Sequence, residues 1–200
     1  MRLPVYLRYA KKLLEAGETV VSCTTIAEEF GQSSVQVRKD LALTGVSGRP
    51  RVGYPLRELV EAIETLLGWN KKTRAYLVGV GGLGSAILGY DHFADCGLVI
   101  AAAFDTDPAK IGTCVHNHLV YPVDQLTEFG SAEQIDIGVL TLPAPAAQEA
   151  AEKLVKIGVR GIWNFTPNRL ILPPHIVCEN VRLSSSFAIL AYCLMNTPQN

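Results

Sequence analysis

The sequence predicts an α/β chain with two unlike parts, a helical N-terminal segment and a doubly wound parallel sheet. Three observations lead to this prediction. Apolar residues recur at helical spacing through residues 1–74, and short apolar strands alternate with helix-forming stretches after residue 75. A glycine-rich turn also separates the first of these strands from its helix.

Composition narrows the class of protein. The chain has 200 residues, 48 % of them hydrophobic, which is enough to bury a core without disulfides. No run approaches ~18 apolar residues and the N-terminus lacks a signal-peptide pattern, so we expect a cytoplasmic protein with no membrane partner. The five scattered cysteines include no CxxC pair, which argues against a disulfide framework or a cysteine-based zinc site.

The near-neutral net charge of −1 hides an asymmetry between the two parts. Residues 1–74 carry 12 basic and 8 acidic side chains, and the remainder carries 6 and 11. The first part therefore has a net charge of about +4 and the second of about −5. Such a division is typical of a basic binding module joined to an acidic domain.

Three short helices are predicted in the basic part. The apolar spacing over residues 3–16 indicates the first, which Gly17 ends. Ser22 is placed to cap the second, and either Ser33 or Ser34 to cap the third. The apolar residues of the third helix are Val35, Val37, Leu41 and Leu43.

A helix, a tight glycine turn and a second helix rich in Ser, Gln, Arg and Lys fit a helix-turn-helix. The stretch SGRPRVGYPL predicts a hairpin with arginines at its tip, like the wing of a winged helix, and residues 56–67 form a closing amphipathic helix. The alternative is a three-helix packing domain with a solvated loop. The candidate DNA contacts are Ser33, Ser34, Gln36, Arg38, Lys39, Arg49 and Arg51.

The glycine-rich turn has the spacing GxGxxG and the context of a dinucleotide-binding unit. It follows an apolar strand, opens a helix and precedes a second strand that ends at Asp105, 21 residues beyond Gly84. Gly79 would allow the tight turn, Gly81 a close approach to pyrophosphate, and Gly84 close packing of helix on strand. Asp105 would accept hydrogen bonds from an adenosine ribose and repel a 2′-phosphate, which favours NAD(H) over NADP(H).

Further strands are predicted at 135–143, 158–165 and 175–183, with a helix at 146–156. This alternation indicates a Rossmann-type parallel sheet, whose ligand crevice lies at the carboxyl ends of the strands. The turns at 141–144 and 164–167 follow two of those ends, where a nicotinamide ribose or ring could lie.

No catalytic residue is expected in this crevice. None of the four histidines falls at a strand end that lines it, so a dehydrogenase would lack its proton donor. A small dehydrogenase is therefore the disfavoured alternative. Residues 113–118 resemble a metal-ligand cluster, but a polar loop is the preferred interpretation and no metal is expected.

Seven stretches in this order resemble the Rex family of redox-sensing repressors: RLPVYLRYAKKLLE, SSVQVRKDLALTG, RPRVGY, GVGGLGSAILGY, AAAFDTDPAKIG, TLPAPAAQEAAEKLVKIGVRGIWNFTP and FAILAYCL. The resemblance implies a homodimer with a winged helix, a Rossmann domain and a C-terminal helix exchanged between subunits. It also implies binding to palindromic operators, permitted by NAD⁺ and ended by NADH.

On this resemblance, Arg8 and Tyr90 occupy positions linked to signalling between domains. The implied domains are 1–74, 75–183 and 184–200. The apolar residues of the last segment are too many to bury against one small sheet edge, which itself indicates a partner subunit. The implied cofactor contacts are Gly79, Val80, Gly81, Gly82, Leu83, Gly84, Tyr90, Asp105, Thr106, Pro143, Ala144, Asn164, Phe165, Thr166 and Pro167.

Three positions depart from the family pattern. Gly82 replaces an arginine that follows the second motif glycine, and Arg182 replaces an aspartate that helps to distinguish the redox states. An arginine there would repel the cationic nicotinamide of NAD⁺ and cannot accept a hydrogen bond from Arg8. Residues 44–48 replace an FGEFG-like stretch. The alternative function is therefore a Rex-like paralogue that binds DNA but has lost redox discrimination, or that binds another adenine nucleotide.

Overall fold

The computed structural model describes residues 2–132 and 134–197. The chain divides into two compact units, residues 1–72 and 73–200. The last three residues of the predicted C-terminal segment, 198–200, lie outside the described residues, as do residues 1 and 133.

The first unit is helical with one small antiparallel ribbon. Its elements are α1 (Leu3–Glu15), β1 (Val20–Val21), α2 (Cys23–Glu29), α3 (Ser34–Ala42), β2 (Tyr54–Pro55) and α4 (Leu56–Leu67). The side chains of Ser22 and Ser33 accept hydrogen bonds from the backbone N–H of Thr25 and Gln36, so both predicted N-caps are formed and Ser33 caps α3. One core joins all four helices through Leu3, Leu7, Ile26, Val37, Leu41, Leu59 and Ile63.

The sequence did not predict which apolar residues of α3 are buried, and the loop before β2 differs from the expectation. Of the apolar residues of α3, Val37 and Leu41 are buried, whereas Val35 and Leu43 are 59 % and 61 % exposed. The predicted hairpin is reduced to a tight loop closed by one bridge between Arg49 and Gly53. Beyond this bridge, the chain leaving the loop pairs with β1, through Tyr54 with Val21 and Pro55 with Val20.

The second unit is a seven-stranded sheet covered by helices. Its strands are β3 (Thr73–Val78), β4 (Leu98–Asp105), β5 (Cys114–Val115), β6 (His118–Pro122), β7 (Ile137–Leu140), β8 (Gly161–Asn164) and β9 (Val177–Asn180). Its α-helices are α5 (Gly82–Leu88), α6 (His92–Asp95), α7 (Leu126–Ala132), α8 (Ala144–Lys156) and α9 (Leu183–Asn196). A 3₁₀ turn, Val123–Gln125, precedes α7.

The strand order is β5-β6-β4-β3-β7-β8-β9, and every pair from β6 to β9 is parallel. When the antiparallel edge strand β5 is left out and the six parallel strands are numbered from β3 in chain order, this is the Rossmann order 3-2-1-4-5-6. Alternate residues of β3 enter opposite cores: Ala75 and Leu77 pack with α5, and Tyr76 and Val78 pack with α7 and α8. The sheet is therefore buried on both faces, as the continuous apolar strands predicted.

The edge strand β5 was not predicted. It pairs antiparallel with β6 through a two-residue turn at His116 and Asn117, both of which have positive φ. This is the geometry of a type I′ hairpin, which asparagine tolerates well. The polar 113–118 stretch is thus a hairpin, and the described residues contain no cluster of three or more metal-ligating side chains.

Helix α9 ends the described chain with its apolar side chains in solvent. Its exposed apolar residues include Phe187, Ile189, Leu190, Tyr192, Leu194 and Met195. In the described parts of the chain, no helix combines the length and the apolar character needed to cross a membrane.

Candidate functional site

The glycine turn after β3 is built by close backbone contacts. Gly79 has a φ of +101°, and a Cβ there would lie 2.8 Å from the carbonyl oxygen of Thr141. A Cβ on Gly84 would overlap the carbonyl oxygen of Gly79. The Thr141 hydroxyl donates a 2.6 Å hydrogen bond to that same oxygen. The tight turn and the close packing expected of these glycines are both present, because α5 begins directly against the ends of β3 and β7.

Asp105 ends β4 beside this turn and is only 8 % exposed. Its Oδ2 accepts a 2.7 Å hydrogen bond from the Val80 N–H, and its Oδ1 accepts bonds from the N–H groups of Thr106 and Asp107 at 2.8 and 2.9 Å. Burial raises the pKa of the Asp105 carboxyl, but the backbone donors and Lys110 outweigh it, so the pKa lies below its usual value. Asp105 is therefore a fixed anion that joins the glycine turn to β4.

Lys110 supplies the nearest cation. Its Nζ lies 3.4 Å from Asp105 Oδ2 and 3.6 Å from Asp107 Oδ2. The longest of the four hydrogen bonds to Asp105 thus comes from the flexible Lys110 side chain, whereas the three from backbone N–H groups are 2.7 to 2.9 Å long. A ribose hydroxyl could replace Lys110 on this carboxylate without disturbing the turn.

A cleft of about 340 Å³ opens at the carboxyl ends of β3, β4 and β7. Five predicted cofactor residues line it: Gly79, Gly81, Asp105, Thr106 and Pro143. Leu142 belongs to the turn 141–144 that the sequence had placed near the nicotinamide. The sequence reasoning did not assign a site role to Lys110, Val123, Ala146, Glu149, Ala150 or Lys153, which also line the cleft. The α8 members recur at spacings of three and four residues, so the helical period of α8 was the signal that could have identified them.

Other predicted contacts surround the turn without lining this cleft. Val80 is buried and donates its N–H to Asp105. Gly82 opens α5, where a Cβ would meet no atom within 4 Å, and Leu83 is partly exposed. Ala144 is the first residue of α8, and its carbonyl oxygen accepts a hydrogen bond from Asn168.

The turn at 164–167 is held together by Asn164, which is fully buried. Its Nδ2 donates to the Asn168 carbonyl and to Asn180 Oδ1, and its Oδ1 accepts from the N–H and the hydroxyl of Thr166. All four positions of the amide are used, so its side chain shapes the turn and is not available to a ligand. Phe165 packs against Trp163 with ring centroids 4.8 Å apart.

Tyr90 follows α5 and is about half exposed. Its ring packs edge-on against Phe93, with centroids 4.7 Å apart, and Phe93 in turn packs on Trp163. This aromatic series connects the end of α5 with the side chains around β8.

The residues present suit a dinucleotide. The cleft lies at the carboxyl end of β3, which has β4 on one side and β7 on the other. The strand order reverses at this point, and Rossmann sheets bind nucleotides at such a switch point. Gly81 borders it with no atom within 4 Å of where a Cβ would stand, so a pyrophosphate has space to approach the backbone. Leu142, Ala146 and Ala150 provide an apolar wall for a base, and Asp105 a carboxylate for a ribose.

In the first unit, a hydrogen-bond network holds α3. Both Asp40 oxygens pair with the Arg2 guanidinium, at 2.7 and 3.0 Å, and the Tyr6 hydroxyl donates to Oδ2 at 3.1 Å. Gln36 donates its Nε2 to Asp40 Oδ1 at 2.9 Å. Hydrogen bonding from Arg2 is the main reason that the pKa of Asp40 lies below its usual value. Sequence reasoning did not identify Asp40.

Three of the predicted DNA contacts meet at a second cleft, of about 500 Å³. Arg38 comes from α3, and Arg49 and Arg51 come from the loop before β2. No acidic side chain stands among the described residues that line it, which are Ser22, Cys23, Thr24, Arg38, Gly48, Arg49, Pro50, Arg51, Val52, Gly53 and Tyr54. Ser33, the N-cap of α3, is exposed and Ser34 is half-buried, so the N-terminal end of this helix is open to a ligand. Lys39 is exposed in its last turn. Arg8 is exposed on α1.

Comparison with protein-family models matches both units. Residues 1–42 match the family described as "Putative DNA-binding protein N-terminus", and residues 70–168 match the CoA binding domain family. The fold and the two clefts thus define a protein in which a winged helix-turn-helix unit precedes a nucleotide-binding Rossmann unit.

The chain belongs to the Rex family. It is 43 % identical over 196 residues to the redox-sensing transcriptional repressor Rex of Treponema denticola, covering 98 % of this chain and 93 % of that protein. It is 40 % identical over 191 residues to Rex of Carboxydothermus hydrogenoformans, covering 96 % and 92 %. The crystal structure of RSP in complex with β-NAD⁺ and operator DNA matches with a TM-score of 0.89, at 35 % identity over 96 % of this chain and 89 % of that one. RSP with β-NADH matches with a TM-score of 0.84, at 34 % identity over 96 % and 90 %.

Proposed function

We propose that this protein is a transcriptional repressor that senses the NADH/NAD⁺ ratio, binds palindromic operators as a homodimer and is released from them by NADH. One observation carries the proposal. A single chain holds an arginine-lined cleft in a winged helix-turn-helix and a glycine-turn cleft in a Rossmann unit, and it is similar throughout to RSP, which was crystallised with β-NAD⁺ and operator DNA.

The nucleotide cleft has the parts that NAD(H) binding needs. Gly79 and Gly81 would bring the backbone to the pyrophosphate, and Asp105 would accept hydrogen bonds from the adenosine ribose. The cofactor would supply the redox signal, because its nicotinamide ring is cationic when oxidised and neutral when reduced. We place that ring near the turns 141–144 and 164–167, which follow the carboxyl ends of β7 and β8.

The basic cleft supports operator binding. Arginines on a projecting loop can enter a minor groove, while the N-terminal residues of a recognition helix reach base edges in the major groove. Arg49 and Arg51 lie on such a loop. The corresponding residues of the recognition helix α3 are Ser34, Gln36 and Arg38. A palindromic operator follows from a two-fold dimer of such units.

Helix α9 supports the dimer. Phe187 is 70 % exposed and Tyr192 is equally so, and an apolar helix in this condition needs a partner surface. We propose that residues 184–200 form a segment exchanged between subunits, with 1–74 and 75–183 as the DNA-binding and nucleotide domains. We also infer that the protein binds its cofactor without turnover, since the relatives that it matches over nearly its whole length are transcriptional repressors by name.

The test begins with selection of a duplex from a randomised library by the full-length protein. Fluorescence anisotropy then follows binding of that duplex while NADH or NAD⁺ is added. We expect release by NADH and little effect of NAD⁺, with affinity that falls steeply as salt rises. Duplex binding that millimolar NADH leaves unchanged would refute the redox sensor and leave the DNA-binding function standing.

Calorimetric titration with NADH, NAD⁺, NADPH, ATP and AMP separates the sensor from the paralogue. Gly82 and Arg182 motivate the paralogue, and Arg182 is exposed at the start of α9. Similar affinities for NADH and NAD⁺, or a preference for an adenine nucleotide alone, would favour it. Steady oxidation of NADH with a carbonyl substrate would instead indicate a dehydrogenase.

A further inference from the structure

The amide of Gln36 has its orientation set by its partner. Asp40 pairs with Arg2 through both carboxylate oxygens, and an aspartate is ionised at neutral pH even without such a partner. An ionised carboxylate only accepts hydrogen bonds. Gln36 must therefore turn its NH₂ group toward Asp40, at 2.9 Å. Its Oε1 makes no hydrogen bond within the described part of the chain, and the bond to Asp40 uses one of its two N–H groups.

The position of Gln36 in α3 shows that its side chain is not needed to cap the helix. It is the third residue of α3, counted from Ser34, and its backbone N–H is satisfied by the Ser33 hydroxyl. A Ser-x-x-Gln start often forms a capping box, in which the glutamine side chain folds back to the cap residue. Here the side chain contacts Asp40, one turn further along the helix, so it is not used to close the helix end.

We propose that Asp40 is a positioning residue that makes Gln36 select adenine in the operator. A glutamine recognises adenine when its carbonyl oxygen accepts from the N6 amino group and its N–H donates to N7. With one N–H on Asp40, Gln36 retains this acceptor and this donor. If the amide were flipped, the NH₂ group of Gln36 would stand where its Oε1 now is and could donate to guanine O6 or thymine O4. The Asp40 carboxylate excludes this orientation, because Oε1 would then face an acceptor. This inference rests on the proposed operator binding.

A substitution of Arg2 distinguishes a positioning role of Asp40 from a packing role. It pairs with Asp40 from α1, so Arg2→Gln weakens the attachment of α3 while leaving the contact between Asp40 and Gln36 in place. Asp40→Asn also weakens the attachment, but it places an amide opposite Gln36, and an amide can donate as well as accept. Only the second change frees the Gln36 amide to rotate.

The experiment selects duplexes from a randomised library with full-length wild type, Gln36→Ala, Asp40→Asn and Arg2→Gln, and sequences the bound fractions. We expect wild type to prefer adenine at one position of each half-site by about tenfold. Gln36→Ala and Asp40→Asn should lose that preference and keep the others. Arg2→Gln should bind more weakly with an unchanged profile.

Three results would overturn the inference. One is an Asp40→Asn profile that matches wild type at every position. Another is a Gln36→Ala profile that matches wild type at every position, because Gln36 would then not read a base. This result refutes the inference even when Asp40→Asn fails to fold. The third is loss of the same preference in Arg2→Gln, which would make the network a packing feature. A wild-type protein that enriches no duplex overturns the proposed function itself, and this inference with it.

Discussion

Replacing Gly84 by alanine tests how closely α5 is packed against the sheet. The new methyl group would overlap the Gly79 carbonyl oxygen and stand 2.8 Å from Thr141 Oγ1. Overpacking of this kind costs about 2 kcal/mol, and loss of the Thr141 hydrogen bond to Gly79 adds about 1. Alanine returns about 1 kcal/mol through its helix propensity. We expect a net loss of about 2 kcal/mol, or about 7 °C in Tm for a unit of this length.

Tryptophan fluorescence measures this loss in the second unit alone. The chain has two tryptophans, Trp69 in the first unit and Trp163 in β8, so a Trp69→Phe background leaves one reporter. Gly82→Ala is the matched control, because it lies in the same helix and its Cβ would meet no atom within 4 Å. An unchanged Tm for Gly84→Ala, or an equal loss for Gly82→Ala, would refute the reasoning.

Three further predictions concern charged residues. Asp105→Asn removes an ionised acceptor from three backbone N–H groups, and calorimetry should show an NADH affinity about tenfold lower. Arg49→Ala and Arg51→Ala should each weaken duplex binding at all sequences and reduce the slope of log affinity against log salt by about 1 in anisotropy titrations. Asp40 has a lowered pKa in the folded protein, so its stabilisation of the first unit is complete above its unfolded-state pKa. That stabilisation is lost as pH falls through the folded-state pKa, and acid titration followed by fluorescence should show it.

Each of these three predictions has a control variant. Asp107→Asn alters the adjacent carboxylate, which does not line the cleft among the described residues, and an equal loss of NADH affinity there would contradict the role of Asp105. Arg57→Ala removes an exposed charge on α4, and its salt slope should stay close to that of wild type. Asp40→Asn should flatten the acid transition, and an unchanged transition would show that other carboxyls cause it.

Local patterns predicted the elements that depend on local physics. Helix α4 has the predicted bounds, 56–67, because its apolar period is regular and Gly68 ends it with a positive φ. The strand before the glycine turn and the one that ends at Asp105 were also predicted, since buried parallel strands are continuous apolar runs. The predicted strand at 135–143 is shorter in the structure, Ile137–Leu140, because β3 pairs with it over only those residues.

The parts that were missed depend on residues distant in sequence. Asp40 looks like a surface acid on α3 until Arg2, 38 residues earlier, reaches it. The expected cofactor contact of Asn164 stays a prediction, but its hydrogen bond to Asn180 was not foreseen, because sequence spacing alone does not place that neighbouring strand beside it. The β5–β6 hairpin was obscured because the Asn117 turn lies within a Cys- and His-rich stretch that resembled a metal site.

The buried core of the first unit is drawn entirely from residues 3–63, and the cores of the second begin at Ala75. Among the described side chains, the buried residues of each core come from one unit. Substitutions that alter operator choice can therefore accumulate before Thr73 without loosening the nucleotide cleft. The same independence makes the boundary after Lys72 a natural crossover point, at which a different DNA-binding module could be recombined onto this nucleotide-binding unit.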